Sequence, residues 1–261
     1  MDIDGVLVRG REALPGAQEL VSGLRQCRLP ISLLTNDGNN SIREKKALLN
    51  ACGLEFAEEE FTSSGHGLAE VVRELKLIGR LFLVVGRLGD PCYARQAGLQ
   101  VTRDMDSVRK CAGVILGEED YDWEPAINTI VNLLLGKPET PFFIPNPDIY
   151  FPAGGGSIRV AAGGVAQFVQ HVLEVYGVEI RPRFLGKPHR PIFQHSHRSL
   201  EKRAGKRLPT HRVMMIGDSL HSDIQGAKAF GYRNALVLTG TTTRDLLSRS
   251  SLQPDLVFEG L

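Results

Sequence analysis

The chain has 261 residues, 42% apolar and 23% charged, with 31 Lys+Arg against 30 Asp+Glu for a formal charge of +1. That size and balance allow one large domain or two modest ones around a real core, and exclude disorder, collagen and coiled coil. Near-neutrality offers no global field for nucleic acid or an anionic membrane, and the longest apolar runs, such as 81–85 and 133–135, fall far short of the ~18–20 residues of a membrane span.

The chain opens on Asp2-Ile3-Asp4-Gly5-Val6-Leu7. On an extended backbone, residues two apart share a face, and a glycine next lets the chain turn sharply away. The pair reads either as a nucleophile beside a proton carrier or as an acidic turn. A helix is expected over 17–26, then a buried strand over 31–34 that ends in Thr35-Asn36. Those two side chains can donate to phosphate oxygens, while the following Asp37-Gly38-Asn39 equally suits a plain turn and helix cap. Helices at 41–52 and 68–75 and strands at 81–85 and 113–116 come next.

A helix over 124–135 runs into Gly136-Lys137-Pro138, where glycine, a cation and proline suit a helix C-terminus. A strand is expected at 142–144. The glycine-rich stretch 154–164 has no preceding strand with GxGxxG spacing and reads as a loop rather than a dinucleotide cradle. After a helix at 165–176, Phe184-Leu185-Gly186-Lys187-Pro188 repeats the same tripeptide in a different context. A short apolar segment precedes it and a helix at 191–203 follows, so Lys187 stands at a strand-to-helix turn, either as a phosphate partner or as a solvated lysine. The strand at 212–216 ends in Gly217-Asp218-Ser219, with Asp223 opening a helix at 223–230. These two acids read as ligands of a hard cation or as helix caps. A strand at 235–238 closes the pattern. The glycines Gly53, Gly136, Gly177 and Gly231 stand where helices stop.

Short apolar runs alternating with amphipathic stretches are the signature of an α/β fold with a parallel sheet between helical layers. Four polar strand ends then fall where ligands bind such sheets, outside the carboxyl ends of the strands. Cys27, Cys52, Cys92 and Cys111 lack CxxC spacing and are expected to be reduced core thiols in a reducing compartment.

The four segments in this order, Asp2/Asp4, Thr35, Lys187 and Asp218/Asp223, resemble the haloacid dehalogenase superfamily of aspartate-nucleophile phosphotransferases, whose motifs are DxDG, a strand ending in Thr/Ser, a Lys, and GDxxxxD. Ala13-Leu14-Pro15-Gly16-Ala17, Leu34-Thr35-Asn36, Asn146-Pro147-Asp148, Gly186-Lys187-Pro188 and Leu238-Thr239-Gly240 look like its NagD-type, or type IIA large-cap, phosphatase branch. Asp122-Trp123, Asn146-Pro147-Asp148 and Asp37-Gly38 lean toward a eukaryotic subgroup of it.

The resemblance implies a Rossmann-like doubly wound parallel-sheet core over 1–78 and 183–261, with an inserted α/β cap over 79–182. It implies Mg2+-dependent hydrolysis of a small-molecule phosphomonoester. Asp2 would be the nucleophile and Asp4 the general acid and base. Thr35, Asn36 and Lys187 would bind phosphate, and Asp2, the Asp4 backbone carbonyl and Asp218 would hold the magnesium. Asp223 would orient Lys187 or a metal-bound water from outside the ligand sphere. The competing class is a catalytically silent relative that binds a ligand or partner; dehalogenation is a remote third. The expected partner is a small phosphate ester, with no nucleic acid or membrane, and a homodimer through the cap is open.

In this family the nucleophile ends a buried central strand, yet only Met1 precedes Asp2 here. The expectation is therefore a missing strand and a fraying Asp2. Location is expected to be intracellular and cytoplasmic, or mitochondrial if a targeting segment stands upstream.

Overall fold

The computed structural model describes residues 1–154 and 157–261, which divide into two compact units. The first comprises 1–35, 42–63 and 187–261, and the second 36–41 and 64–186.

In the first unit, Leu33–Thr35 pairs in parallel with Phe61–Ser63, and Met214–Gly217, Arg233–Val237 and Leu256–Phe258 form a parallel three-stranded ladder. The start of the chain lies between these ladders. Met1 N donates to Ser32 O at 2.8 Å and Leu34 N to Met1 O at 2.9 Å, the parallel pattern, while Asp2 N donates to Ile216 O at 2.9 Å on the other side. Residues 1–2 thus join the strands into one layer. The expected fraying at Asp2 is not what the structure shows, because backbone bonds on both sides tie these residues down.

Alternate residues of this layer point into separate cores. Leu33 and Ile216 pack with Ile3, Val21, Leu49 and Phe56 under the helices Ala17–Gln26 and Ile42–Ala51. Leu34 and Met215 pack with Ile192, Phe193 and Ala227 under Arg190–Ala204 and Gln225–Phe230. Helices cover both faces, as a doubly wound sheet requires, and this is why its strands read as continuous apolar runs.

The second unit holds a five-stranded parallel sheet in the order Arg183–Phe184, Phe142–Ile144, Gly113–Leu116, Leu81–Val85, Gln100–Thr102. Leu83, Val85, Val114 and Leu116 face the helices Trp123–Gly136 and Ala162–Val175. Phe82, Val84, Ile115 and Phe143 face the other way, toward Leu68, Val71 and Val72 of the helix Gly67–Glu74. That packing explains why the long segment of this unit starts at 64 and not at the expected 79. Its far edge reaches 186, beyond the expected 182, because Arg183–Phe184 is an edge strand of this sheet.

The stretch read as a loop over 154–164 is different in the structure. Tyr150–Gly154 and Ser157–Val160 pair antiparallel, and a helix starts at Ala162; Gly155 and Gly156 lie outside the described residues. A side chain at Gly163 would collide with the carbonyl of Pro147, so the glycine lets this helix seat directly on the 147–149 backbone. Of the cysteines, Cys52 is buried and Cys27 is exposed just past the helix Ala17–Gln26, which corrects the expectation of four core thiols. Among the described residues, no helix is long and apolar enough to cross a membrane.

Candidate active site

Parallel strands that end side by side bring their following residues together. Asp2 lies in the central position of the first unit's layer, and its side chain is 13% exposed. Ile3 on the opposite face is buried in the core, while Asp4 is exposed. Gly5 N then donates to Val8 O at 2.8 Å as the chain turns back. Gly5 has φ +75°, and a Cβ there would lie 2.6 Å from Asp218 Oδ2, so both the turn and the carboxylate behind it require glycine.

Asp218 follows the strand Met214–Gly217 and is buried. The next turn is a single π-helical turn, Leu220–Ile224, capped by the Ser219 side chain on Ser222 N. It carries Asp223 back toward the strand end, where Ser219 N donates to Asp223 Oδ2 at 3.1 Å. A side chain at Gly217 would collide with the Asp223 carboxylate.

Lys187 lies between the acids, 2.8 Å from Asp2 Oδ2 and 2.7 Å from Asp223 Oδ1. It is only 2% exposed, and Asp223 is fully buried. Asp2, Asp218 and Asp223 each offer a carboxylate oxygen within 4.8 Å of the others. The structure therefore assembles four of the expected residues, Asp2, Lys187, Asp218 and Asp223, across 221 positions of chain.

The Asp4 carboxylate does not join that cluster of ligand atoms. Thr35 is buried at the end of Leu33–Thr35, beside Ser63 on the neighbouring strand. Asn36 belongs to the second unit, where its amide donates to Asp148 Oδ1 at 3.0 Å. Lys137, of the earlier Gly-Lys-Pro tripeptide, caps the end of the helix Trp123–Gly136, as expected, and is exposed.

Three buried carboxylates against one ammonium leave an excess of negative charge. Burial raises the Asp2 pKa well above the ordinary carboxylate range; Lys187 opposes this, and Asp223 and Asp218 add to it. Asp218 is likewise raised, by burial and then by Asp223, against the opposing Thr241 N–H. For Lys187, burial alone would lower the pKa, but Asp2 and Asp223 together raise it, so the ammonium stays charged. Clustered oxygen donors carrying surplus negative charge suit a hard divalent cation such as magnesium.

One supporting loop had no role assigned from the sequence. Thr239 Oγ1 donates to Gly5 O at 2.6 Å, and Thr241 N donates to Asp218 Oδ2 at 2.5 Å. Gly240 between them sits against Asp218, where any side chain would collide with the carboxylate. The signal was the Thr-Gly pair just past the expected strand at 235–238.

A family model described as haloacid dehalogenase-like hydrolase matches residues 1–100, and a second, HAD-hydrolase-like, matches 184–261. The chain is 29% identical to the dihydroxyacetone phosphatase of Corynebacterium glutamicum (strain R), covering 100% of this chain and 87% of that protein. It is 24% identical to the ribonucleotide monophosphatase NagD of Escherichia coli (strain K12), over 98% and 93% of the two chains. Among solved structures, the p-nitrophenyl phosphatase from Archaeoglobus fulgidus superposes with a TM-score of 0.82 at 26% identity, covering 99% of this chain and 94% of that one.

Proposed function

The chain belongs to the haloacid dehalogenase-like hydrolases, in their NagD-type branch of phosphoric monoester hydrolases, and from this premise we infer that it cleaves small phosphomonoesters through an aspartyl-phosphate on Asp2. The observation that carries the reading is the buried ammonium of Lys187 held between Asp2 and Asp223 beside Asp218.

In the first step an Asp2 carboxylate oxygen bonds to phosphorus as the bond to the ester oxygen breaks, and Asp4 gives that leaving oxygen its proton. In the second, Asp4 takes a proton from water, whose oxygen bonds to phosphorus while the bond to Asp2 breaks. This splits one difficult displacement into two and returns both acids to their starting states. The exposure of Asp4 suits a group that exchanges protons with substrate and water.

Lys187 has two tasks. Its charge keeps the buried Asp2 available as an anion, and with Thr35 and the adjoining Asn36 it binds the phosphoryl oxygens on which transition-state charge accumulates. Asp223 fixes the direction of Lys187 through the 2.7 Å contact. Asp2, Asp218 and the backbone carbonyl of Asp4 would hold a magnesium ion, whose charge offsets repulsion between the phosphate and the nucleophile.

We assign the first unit as the catalytic core and the second as the cap that selects substrate. The named relatives act on dihydroxyacetone phosphate, ribonucleoside monophosphates and p-nitrophenyl phosphate, which defines the substrate panel. Four free thiols suit a reducing intracellular compartment. Exposed Ile149, Tyr150, Ile158 and Val160 on and beside the hairpin of the second unit suit a homodimer through that unit, testable by light scattering.

The test is phosphate release from that panel with and without magnesium, together with acid-quench trapping of labelled phosphoenzyme. Asp2→Asn is expected to lose both trapped label and at least about nine-tenths of the rate, a barrier change of ~1.4 kcal/mol or more. An Asp2→Asn variant that retains label or rate refutes the assignment.

A further inference from the structure

Glu118 stands just past the strand Gly113–Leu116, 7% exposed, and takes no part in the proposed reaction. Its Oε1 accepts from the Asn146 side-chain amide in a short bond and from Ala162 N at 3.4 Å, and its Oε2 accepts from Asn39 Nδ2 at 3.2 Å. These neutral donors come from three separate stretches of the second unit: residues 36–41, residues 145–148, and the first turn of Ala162–Val175.

The same stretches hold the points at which the chain enters and leaves this unit. Asn36 donates to Asp148 Oδ1 at 3.0 Å, and Asp148 N donates to Asn146 Oδ1 at 3.0 Å. Ser64 Oγ donates to Asn36 O at 2.8 Å. Gly186 N donates to Pro145 O at 2.9 Å, and a Cβ on Gly186 would lie 2.6 Å from Asn36 Oδ1. Asn36 and Gly186 are the chain neighbours of Thr35 and Lys187. Both are thus held in one packed knot whose centre is the Glu118–Asn146 bond.

The charged surroundings of Glu118 are mainly acidic. Asp148 and Asp37 face it, as does the Tyr121 hydroxyl. Of the nearby cations, Arg87 reaches Asp120 at 3.7 Å and bonds Glu118 through backbone, and Arg159 pairs with Glu119 at 2.7 Å. Burial, opposed by the Asn146 and Ala162 bonds and reinforced by Asp148 and Asp37, pushes the Glu118 carboxyl up to about 6. Its charge therefore changes at a mildly acid pH.

We propose that Glu118 is a positioning residue for phosphate binding: it clasps Asn39 and Asn146 and so fixes Asn36 and Gly186, the chain neighbours of Thr35 and Lys187. The inference rests on the reading of Thr35, Asn36 and Lys187 as the phosphate-binding set. Asn39 supplies a means of testing it, because its Oδ1 is buried with no hydrogen-bond partner among the described residues. Turning the Asn39 amide over lets that oxygen accept from a glutamine at 118, so Glu118→Gln keeps the clasp and removes its titration.

The experiment is calorimetric binding of inorganic phosphate, with magnesium, to wild type, Glu118→Gln and Glu118→Ala between about pH 5 and about pH 8, alongside kcat and KM for p-nitrophenyl phosphate. Glu118→Ala is expected to weaken phosphate binding and raise KM about tenfold at the alkaline end with a smaller effect on kcat, the scale of a sub-ångström misplacement. Glu118→Gln is expected to bind phosphate within about twofold of wild type over the whole range, because it keeps all three contacts once the Asn39 amide turns. Wild-type affinity in a folded Glu118→Ala overturns the proposal, as does a Glu118→Gln that binds phosphate as weakly as Glu118→Ala. Should Glu118→Ala not fold, Asn39→Ala, which removes one arm of the clasp, is read by the same measurement, and wild-type affinity there overturns the proposal. Absent turnover in wild type refutes the phosphatase reading, whereas wild-type phosphate binding by these variants in an active enzyme refutes only the role of Glu118.

Discussion

Replacing Lys187 with methionine keeps the aliphatic stem in its buried slot and removes only the charge. Three carboxylates then share one site without a cation, with Asp2 and Asp223 each losing a partner under 3 Å away. Removing one member of a buried pair costs about 3–5 kcal/mol, and a chain of this size loses roughly 2–4 °C of melting temperature per kcal/mol. A fall of about 6–20 °C is therefore expected near pH 8 in a chelator, where no divalent ion can substitute for the ammonium.

The pH dependence gives the stronger test. Asp2 and Asp218 already have raised pKa values in the folded state, and losing the ammonium raises them further. A raised carboxylate pKa means that the native state is penalised once the group ionises, so the penalty is fully present above the folded pKa and disappears as pH falls toward the unfolded value. Thermal melts followed by circular dichroism near pH 8 and near pH 5 should show the deficit of Lys187→Met shrinking on acidification, and magnesium should recover part of it at the higher pH. A variant that melts with wild type near pH 8, or whose deficit is the same at both pH values, refutes the electrostatic account of this site.

Asp4→Asn should fold normally, because Asp4 is exposed, yet lose at least about nine-tenths of its phosphatase rate; an unchanged rate removes the proton-transfer role. Gly240→Ala forces a methyl group onto the Asp218 carboxylate and should weaken magnesium binding in a metal titration, with a lower melting temperature. Glu118→Gln removes a buried acid whose pKa stands at about 6 against an ordinary 4.5, so the variant should be more stable at neutral pH by up to about 2 kcal/mol. That gain should vanish below about pH 4.5, where the wild-type carboxyl is protonated in both folded and unfolded chains, and denaturant titrations at the two pH values would measure it.

The strands Leu81–Val85, Gly113–Leu116 and Phe142–Ile144 agree at both ends with the runs expected from sequence, because each is an apolar run buried on both faces. The pattern is local, and so it can be read locally. Gln100–Thr102 and Leu256–Phe258 were not legible as strands. They lie at sheet edges, where one side of the ladder is open and the apolar signal is short or mixed with polar residues.

The candidate site divides in the same way. Asp2, Thr35, Lys187, Asp218 and Asp223 stand out in the sequence by residue type and order: Thr35 ends an apolar run, Lys187 and Asp218 each follow a glycine, Asp2 is paired with Asp4 ahead of Gly5, and Asp223 lies five positions past Asp218. Which lysine of the two Gly-Lys-Pro segments to choose was likewise decided by neighbours in the chain. What the sequence could not supply is that a single ammonium lies within 3 Å of both Asp2 and Asp223, or that Thr239, Gly240 and Thr241 support Asp218 and Gly5. Nor could it show that Glu118 joins Asn39, Asn146 and Ala162, or that residues 64–78 pack with the second unit. Helix and strand periodicity follow from which side of a segment meets water, and neighbouring residues record that directly. Charge environment, close packing and unit boundaries depend on groups tens to hundreds of positions apart, and only the folded chain brings those together.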